Sequence, residues 1–359
     1  MSEATKNEAQ SSGLDPFGGW PGVLGEVSSG RDLTEAGARA AMGEILAGAA
    51  TDAQIAGLIV ALRLKGESVS EMRGLAGAML DAAHPLQVPD DAIDIVGTGG
   101  SPHRRKHALN VSTMASFVAA GAGATVCKHG NYRASSTSGS FDFLSELGVN
   151  VDLDALQLQA CVEQTGIGFA LARIFHPAMR HVAPVRTQLG IPTVFNVLGP
   201  LAHPGRVKRQ LIGTSNESSA SLMAEVCSAM GSLRAWVVTG AGGLDEISTH
   251  GPSVIFDVSP AGVERLEIDL RFLGITPPTS MDALSGGTAA DNVAIFHRLL
   301  DGTEHGPRRD IVVLNAGASL VVAGIAPDLA SGIRLAADAI DSGQVRAKVA
   351  ELVDVSRSF

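Results

Sequence analysis

The chain has 359 residues, 45% hydrophobic and 18% charged, enough to bury a large core spread over two domains. With 37 acidic against 27 basic side chains, its net charge of -10 argues against nucleic acid or an anionic membrane as a partner, because both attract polycations. Cys127, Cys161 and Cys227 stand far apart without a CxxC pair, which suits neither a disulfide framework nor a zinc site, and a reducing cytoplasm is expected.

The opening MSEATKNEAQSSG is polar and lacks the apolar run of a secretory signal, so residues 1–23 are expected to form a disordered tail. Helical spacing starts soon after. In TDAQIAGLIVALRLKG, Thr51 and Gln54 have capping-box spacing, Ile55, Leu58, Ile59 and Leu62 share a face, and Gly66 is a stop. Ser68 and Glu71 repeat the box ahead of Met72, Leu75, Ala76 and Met79, so an all-helical unit is expected over about 24–83. Its apolar stripes suit either a core or a dimer interface, and spacing does not choose between them.

HPLQVPDD reads as a linker, and residues 92–96 (AIDIV) as a short buried strand running into glycines. A helix from about Ser112 and a strand over 124–128 complete a βαβ unit, whose right-handed crossover puts the glycine loop at the carboxyl edge of a parallel sheet. Residues 108–127 carry no charge before Lys128, yet Asn110, Ser112, Thr113 and Ser116 make them too polar to span a bilayer. Further strands are expected at GIGFALA, RQLIGT, AWVVTG, SVIFDV and DIVVLNA (310–316), with helices between them, giving an α/β domain.

The loop GTGG (97–100) is neither a GxxxxGK[ST] loop nor a GxGxxG turn, and glycines alone fit a tight turn as well as a phosphate cradle. Its surroundings carry more information. Asn110, Ser112 and Thr113 are placed to cap a helix whose amides and dipole face an anion, while His103, Arg104, Arg105, Lys106 and His107 add donors. KHGNYRASSTSGS (128–140) ends the next strand with a lysine, a histidine and an arginine before a serine–glycine loop, a second anion cradle. Two cradles suggest a ligand with two phosphoryl groups.

GTGG, NVST, KHGN and SSTSGS, in that order, resemble the anthranilate phosphoribosyltransferase family, which is related in fold to the pyrimidine nucleoside phosphorylases. FHPAMRHVAPVR (175–186), LGIPTVFNVLGPL (189–201) and GGLDEIS (242–248) extend the resemblance over nearly the whole chain after the tail. The resemblance implies a small helical domain (24–88 plus 177–204) that forms a homodimer, and a large α/β domain (89–176 plus 205–359) with a mostly parallel central sheet. It puts the active site in the cleft between the two domains. The implied reaction joins the amine of anthranilate to C1 of phosphoribosyl diphosphate and releases diphosphate. Positioning and electrostatics suffice for it, with no protein nucleophile and only optional base help from His129.

Carried over one by one, Gly97, Thr98, Gly99, Gly100, Asn110, Ser112, Thr113, Lys128, Asn131, Ser135 and Ser136 are implied to bind phosphoribosyl diphosphate. Gly97, His129, Asn131, His176 and Arg186 are implied to face anthranilate, with the planar fork of Arg186 on its carboxylate. Ser112, Asp245 and Glu246 are implied Mg2+ ligands, although adjacent acids by themselves read as a solvated loop. Two places depart from the family. Ser101 replaces an acidic residue ahead of a longer basic loop, where Arg104, Arg105 and Lys106 are expected to offset part of the diphosphate charge. In KHGNYR the arginine, Arg133, falls one place late. The altered loop keeps open another aromatic or pyrimidine acceptor, and HRRKH with GRVKRQ keeps open a non-catalytic nucleic-acid-binding relative, against which the acidic balance and the retained Arg186 count.

Overall fold

The computed structural model describes residues 13–99, 109–132, 137–278 and 280–359. The chain divides into two compact units, one running to Ala82 and taking up Ala178–Val194, the other formed by Ala83–Pro177 and Phe195–Phe359.

The first unit contains helices α1 (Gly19–Ser28), α2 (Glu35–Leu46), α3 (Asp52–Lys65) and α4 (Val69–Asp81). Both expected capping boxes form, Thr51 with Gln54 and Ser68 with Glu71, each satisfying two amides that a helix start leaves over. Helices α2 and α4 cross closely at Gly74, where a Cβ would come within 2.3 Å of the Glu35 carbonyl oxygen. Glu71 is buried, but its carboxylate accepts from Leu33 N, Ser68 N and Lys65 Nζ, so the charge is fully paired.

The expected tail is too long. Residues Asp15–Phe17 form a 3₁₀ turn and α1 starts at Gly19, with Leu14 wholly buried. The segment DPFGGWPG has poor helix propensity, but Gly18 and Gly19 take the left-handed backbone it needs, at φ 74° and 64°.

The second unit begins with β1 (Ile93–Gly97), α5 (Val111–Gly121), β2 (Val126–Gly130), α6 (Ser140–Leu147), α7 (Ala155–Thr165), β3 (Ile167–Leu171) and α8 (Ala172–Phe175). The chain then supplies α9 (Ala183–Leu189) to the helical unit and re-enters through α10 (Phe195–Leu201). There follow β4 (Arg209–Gly213), α11 (Glu217–Ala229), β5 (Arg234–Thr239), β6 (Ser253–Ser259), β7 (Gly262–Ile268), α12 (Ala289–Leu300), α13 (Pro307–Ala323), α14 (Leu329–Asp341) and α15 (Gln344–Arg357).

The strands make one sheet in the order β3-β2-β1-β4-β5-β6-β7. The first five run parallel, while β6 and β7 form an antiparallel hairpin at the edge. Strand order reverses between β1 and β4, so a crevice opens outside their carboxyl ends, the usual ligand position in open α/β sheets. Beneath it, Phe117 of α5 packs against Phe169 and Phe296 at ring-centroid distances of 5.3 and 5.6 Å.

Three further expectations need correction. The resemblance puts residues 195–204 in the helical domain, but they belong to the α/β unit, tied there by Gln210 Nε2 donating to Pro200 O and His203 Nε2 donating to Cys127 O. The DIVVLNA run is not a strand but the middle of α13, a helix buried on all sides, and an apolar run of that length does not distinguish the two. Its signals were Pro307 in the first turn and Gly324 past the last. Finally, Asn110 occupies the N-cap of α5 without capping it, because its Oδ1 accepts from Ser138 Oγ instead.

Candidate active site

Strands β1 and β4 end in Gly97 and Gly213, β5 runs directly into Gly240, and the same short segment requires all three glycines. A Cβ on Gly97 would lie 2.6 Å from Asp245 Oδ2, one on Gly213 would lie 1.7 Å from Asp245 O, and one on Gly240 would lie 2.3 Å from Glu246 O. No side chain fits at these places, so the ends of β1, β4 and β5 are bare where residues 245–246 cross them. Both acids are nearly buried, and Asp245 Oδ2 accepts the Gly99 amide at 2.7 Å, which ties the glycine loop to the acid pair. From below, Asn315 of α13 grips the next residue twice: Ile247 N donates to its Oδ1 at 3.0 Å and its Nδ2 donates to Ile247 O at 2.9 Å.

Beside this edge, α5 presents its N-terminus without a side-chain cap. Asn110 is fixed there by two bonds, its backbone N donating to Asn292 Oδ1 at 2.9 Å and its Oδ1 accepting from Ser138 Oγ at 2.8 Å. Ser112 and Thr113 lie in the first turn of this helix.

The end of β2 is built differently, from polar side chains packed inside the unit. His129 and His176 lie with ring centroids 5.2 Å apart, and His203 stands edge-on to His129 at 5.7 Å. Burial pushes all three imidazoles below their ordinary range, His176 to about 4, and at His129 the neighbouring His176 and His203 add to the effect. The three are therefore neutral near pH 7. The ring of His129 meets Gly199 O through Nδ1 at 3.3 Å and that of His176 bonds the Ala202 backbone, while both Nε2 atoms are buried with no hydrogen-bond partner. Asp94 is wholly buried, its Oδ1 accepting from His129 N at 3.0 Å; burial raises its pKa, against the pull of His203, Lys128 and that amide.

Lys128 differs from its expected placement. Its side chain is buried and its Nζ donates to Ile95 O, so the ammonium is held inside the sheet's end next to Asp94. Asn131, in contrast, is exposed where the strand has ended, its Oδ1 accepting from Tyr132 N.

These features lie within a chain whose residues 21–83 match the glycosyl transferase family, helical bundle domain, and residues 89–346 the glycosyl transferase family, a/b domain. Anthranilate phosphoribosyltransferase from Chloroflexus aurantiacus is 44% identical over 336 residues, covering 93% of this chain and 98% of the relative. That from Roseiflexus castenholzii is 45% identical over 333 residues, covering 92% and 96%. The chain belongs to the anthranilate phosphoribosyltransferase family. Among solved structures, the family's enzyme from Thermus thermophilus superposes with a TM-score of 0.87 at 39% identity, covering 93% of this chain and 99% of that one. The Saccharomyces cerevisiae enzyme in complex with PRPP and Mg gives 0.85 at 26% identity, covering 95% and 98%.

In this family member the structure brings Gly97, Thr98, Gly99, Asn110, Ser112, Thr113, Asp245 and Glu246 to neighbouring strand ends and the start of α5, and gathers Lys128, His129 and His176 at the end of β2. Arg186 is carried by α9 of the helical unit, half-buried, and burial lowers its pKa. Gly100, Arg104, Arg105, Lys106, Arg133, Ser135 and Ser136 lie outside the described residues. Among the described residues no group of three or more His, Cys, Asp or Glu side chains is arranged to hold a metal, and no helix is long and apolar enough to cross a membrane. Sequence reasoning missed Asp94, His203, Asn292 and Asn315. The available signal was a lone polar residue inside an apolar run, as in AIDIV and VVLNAG, because such a residue is buried only if it is bonded.

Proposed function

We propose that this chain transfers the phosphoribosyl group of phosphoribosyl diphosphate to the amine of anthranilate, releasing diphosphate. The observation that carries the reading is the buried Asp245–Glu246 pair laid across Gly97, Gly213 and Gly240 at the ends of β1, β4 and β5, with Gly99 bound to it. That arrangement brings bare backbone and hard oxygen donors to one strand edge, which suits a diphosphate with its cation.

Gly97, Thr98, Gly99, Gly100, Asn110, Ser112, Thr113, Asn131, Ser135 and Ser136 are assigned to the sugar and its phosphates. The donor set fits magnesium, since two carboxylates and a hydroxyl are hard oxygen ligands and leave room for substrate phosphates. Asp245, Glu246 and Ser112 are assigned to hold it, and the bound ion would neutralise charge on the departing diphosphate. Lys128 acts through Asp94 and the strand rather than as a direct phosphate ligand, consistent with its burial.

On the acceptor side Arg186 takes the carboxylate of anthranilate, and Gly97, His129, Asn131 and His176 line the approach. The bare Nε2 atoms of His129 and His176 are neutral acceptors for an amine proton, the protonation state that a weakly basic aromatic amine requires of its neighbours. Arg104, Arg105 and Lys106 offset part of the diphosphate charge, and the helical unit forms the interface of a homodimer that works in the cytoplasm.

The test is fluorescence-detected consumption of anthranilate with phosphoribosyl diphosphate and Mg2+, repeated with other aromatic acids. Turnover of anthranilate is expected; turnover of a different acid alone would replace the acceptor, and turnover of none would remove the assignment. Replacing Arg104, Arg105 and Lys106 together by alanine is expected to raise the magnesium concentration needed for half-maximal rate. An unchanged requirement would dispose of their charge-balancing role.

A further inference from the structure

We propose that His203 is a positioning residue for the acceptor side of the site, a neutral imidazole that fixes the end of β2 from the segment after α10; the proposal rests on the function assigned above.

His203 is 2% exposed and both its ring nitrogens are bonded. Gly205 N lies 3.0 Å from Nδ1, and because a backbone amide only donates, Nδ1 must be the bare nitrogen. The ring proton is therefore on Nε2, which donates to Cys127 O at 2.8 Å. The burial that disfavours the imidazolium agrees with this, since a charged ring would put a proton on Nδ1 facing an N–H.

Cys127 immediately precedes Lys128 and His129. These three consecutive residues are each held by a different neighbour: Cys127 O by His203, Lys128 Nζ by Ile95 O, and His129 N by Asp94 Oδ1. The ring of His129 is also held at Gly199 O, and His203 stands edge-on against its face, so the same returning segment sets both the backbone before His129 and the orientation of its ring. Among the described residues, the hydrogen bonds and ring contact of His203 run to Cys127, Gly205, Arg206 and His129, none of which is assigned to phosphoribosyl diphosphate or to magnesium. Its effect should reach anthranilate through His129.

The experiment combines kinetics with a histidine ring signature in the full chain. Long-range nitrogen–proton correlation spectra of labelled protein should report His203 as the Nε2–H tautomer near pH 7; an Nδ1–H tautomer would overturn the proposal. His203→Leu removes donor and acceptor and should raise the KM for anthranilate about tenfold, change that for phosphoribosyl diphosphate less than about twofold, and shift the His129 ring signals. His203→Asn, which again offers one donor and one acceptor, should return the anthranilate KM to within about threefold of the original. A purely structural His203 would lower kcat with the inactive fraction and leave both KM values alone, and that result also overturns the proposal. If His203→Leu does not fold, the tautomer and His203→Asn decide: a tenfold rise in anthranilate KM for His203→Asn refutes the donor–acceptor account. Failure of the unmodified protein to consume anthranilate would refute the assigned function instead, while the tautomer and the His129 ring shift would still test whether His203 sets that ring.

Discussion

The two polar regions at the strand ends follow opposite designs. The acid edge across β1, β4 and β5 is made by leaving side chains out: Gly97, Gly213 and Gly240 give way to the backbone of 245–246. The end of β2 is made by filling the same kind of space with three imidazoles, a lysine and an aspartate, held chiefly by bonds to backbone N–H and C=O groups. The glycine positions of the first should therefore be sensitive above all to volume, and the second sensitive to donors and acceptors and more forgiving of size.

Gly213→Ala breaks the comparison hardest. Its new Cβ would sit 1.7 Å from Asp245 O, a backbone atom that cannot rotate away, so the acid segment must move. The cost should exceed the roughly 1–3 kcal/mol of ordinary overpacking. Activity is expected to fall on the order of 100-fold or more, with a lower melting temperature, if the pair holds magnesium and diphosphate. Gly43→Ala is the control, because nothing lies within 4 Å of its Cβ and α2 should gain up to about 1 kcal/mol. Wild-type rates for Gly213→Ala would mean that the close approach is not needed for chemistry.

Asn315→Leu is next. It keeps the approximate volume and strands both the N–H and the C=O of Ile247, each costing about 1–3 kcal/mol when buried without a partner. Urea unfolding should show a loss of about 2–5 kcal/mol, and surviving enzyme should need more magnesium, since Glu246 adjoins the released residue. A stability loss with an unchanged magnesium requirement would confine Asn315 to the core.

The histidine end should declare itself in acid. His176 titrates near 4 when folded against 6.5 for a free imidazole, so between those values the unfolded chain binds a proton that the folded chain refuses. Stability consequently falls as pH drops from about 6.5 to 4, by an amount on the order of 3 kcal/mol from this residue, and is intact above that window. His176→Gln should flatten the slope of unfolding free energy against pH over that range. An unchanged slope would mean that the ring is protonated in the folded protein.

How much of this was legible depended on which of the two designs a residue serves. The acid pair, the glycine loop and the capping boxes at Thr51 and Ser68 could be read because glycine, capping residues and motif order leave local marks. The match of Gly97, Gly213 and Gly240 to one segment could not, since it depends on strand order, and the βαβ reading supplied only β1 and β2. Nor could the partners of Lys128, whose charge suggested a phosphate contact but whose side chain is buried with Ile95 and Asp94. The run 310–316 reads as a strand although it is helical for a related reason: full burial erases the helical period on which the distinction from a strand rests.

The smallest expected effect concerns the substitution in KHGNYR. Tyr132 does not point into the histidine cluster; its ring lies 6.0 Å from Phe141 and carries the Arg173 guanidinium at 5.2 Å, which in turn pairs with Asp152 at 2.5 Å. Its backbone amide also fixes the side chain of Asn131, donating to Oδ1 at 2.9 Å. Arg173 and Asp152 are both more than half exposed, so water and salt screen the pair, and the cation–π contact should contribute about 0.5–1 kcal/mol. Tyr132→Leu keeps the backbone bond to Asn131 and loses the ring contact. It should therefore change the KM for phosphoribosyl diphosphate less than about fivefold and leave the anthranilate KM near its original value, with the difference shrinking in high salt. A larger effect that salt does not reduce would show that the ring itself, rather than the arginine stacked on it, holds Asn131 in place.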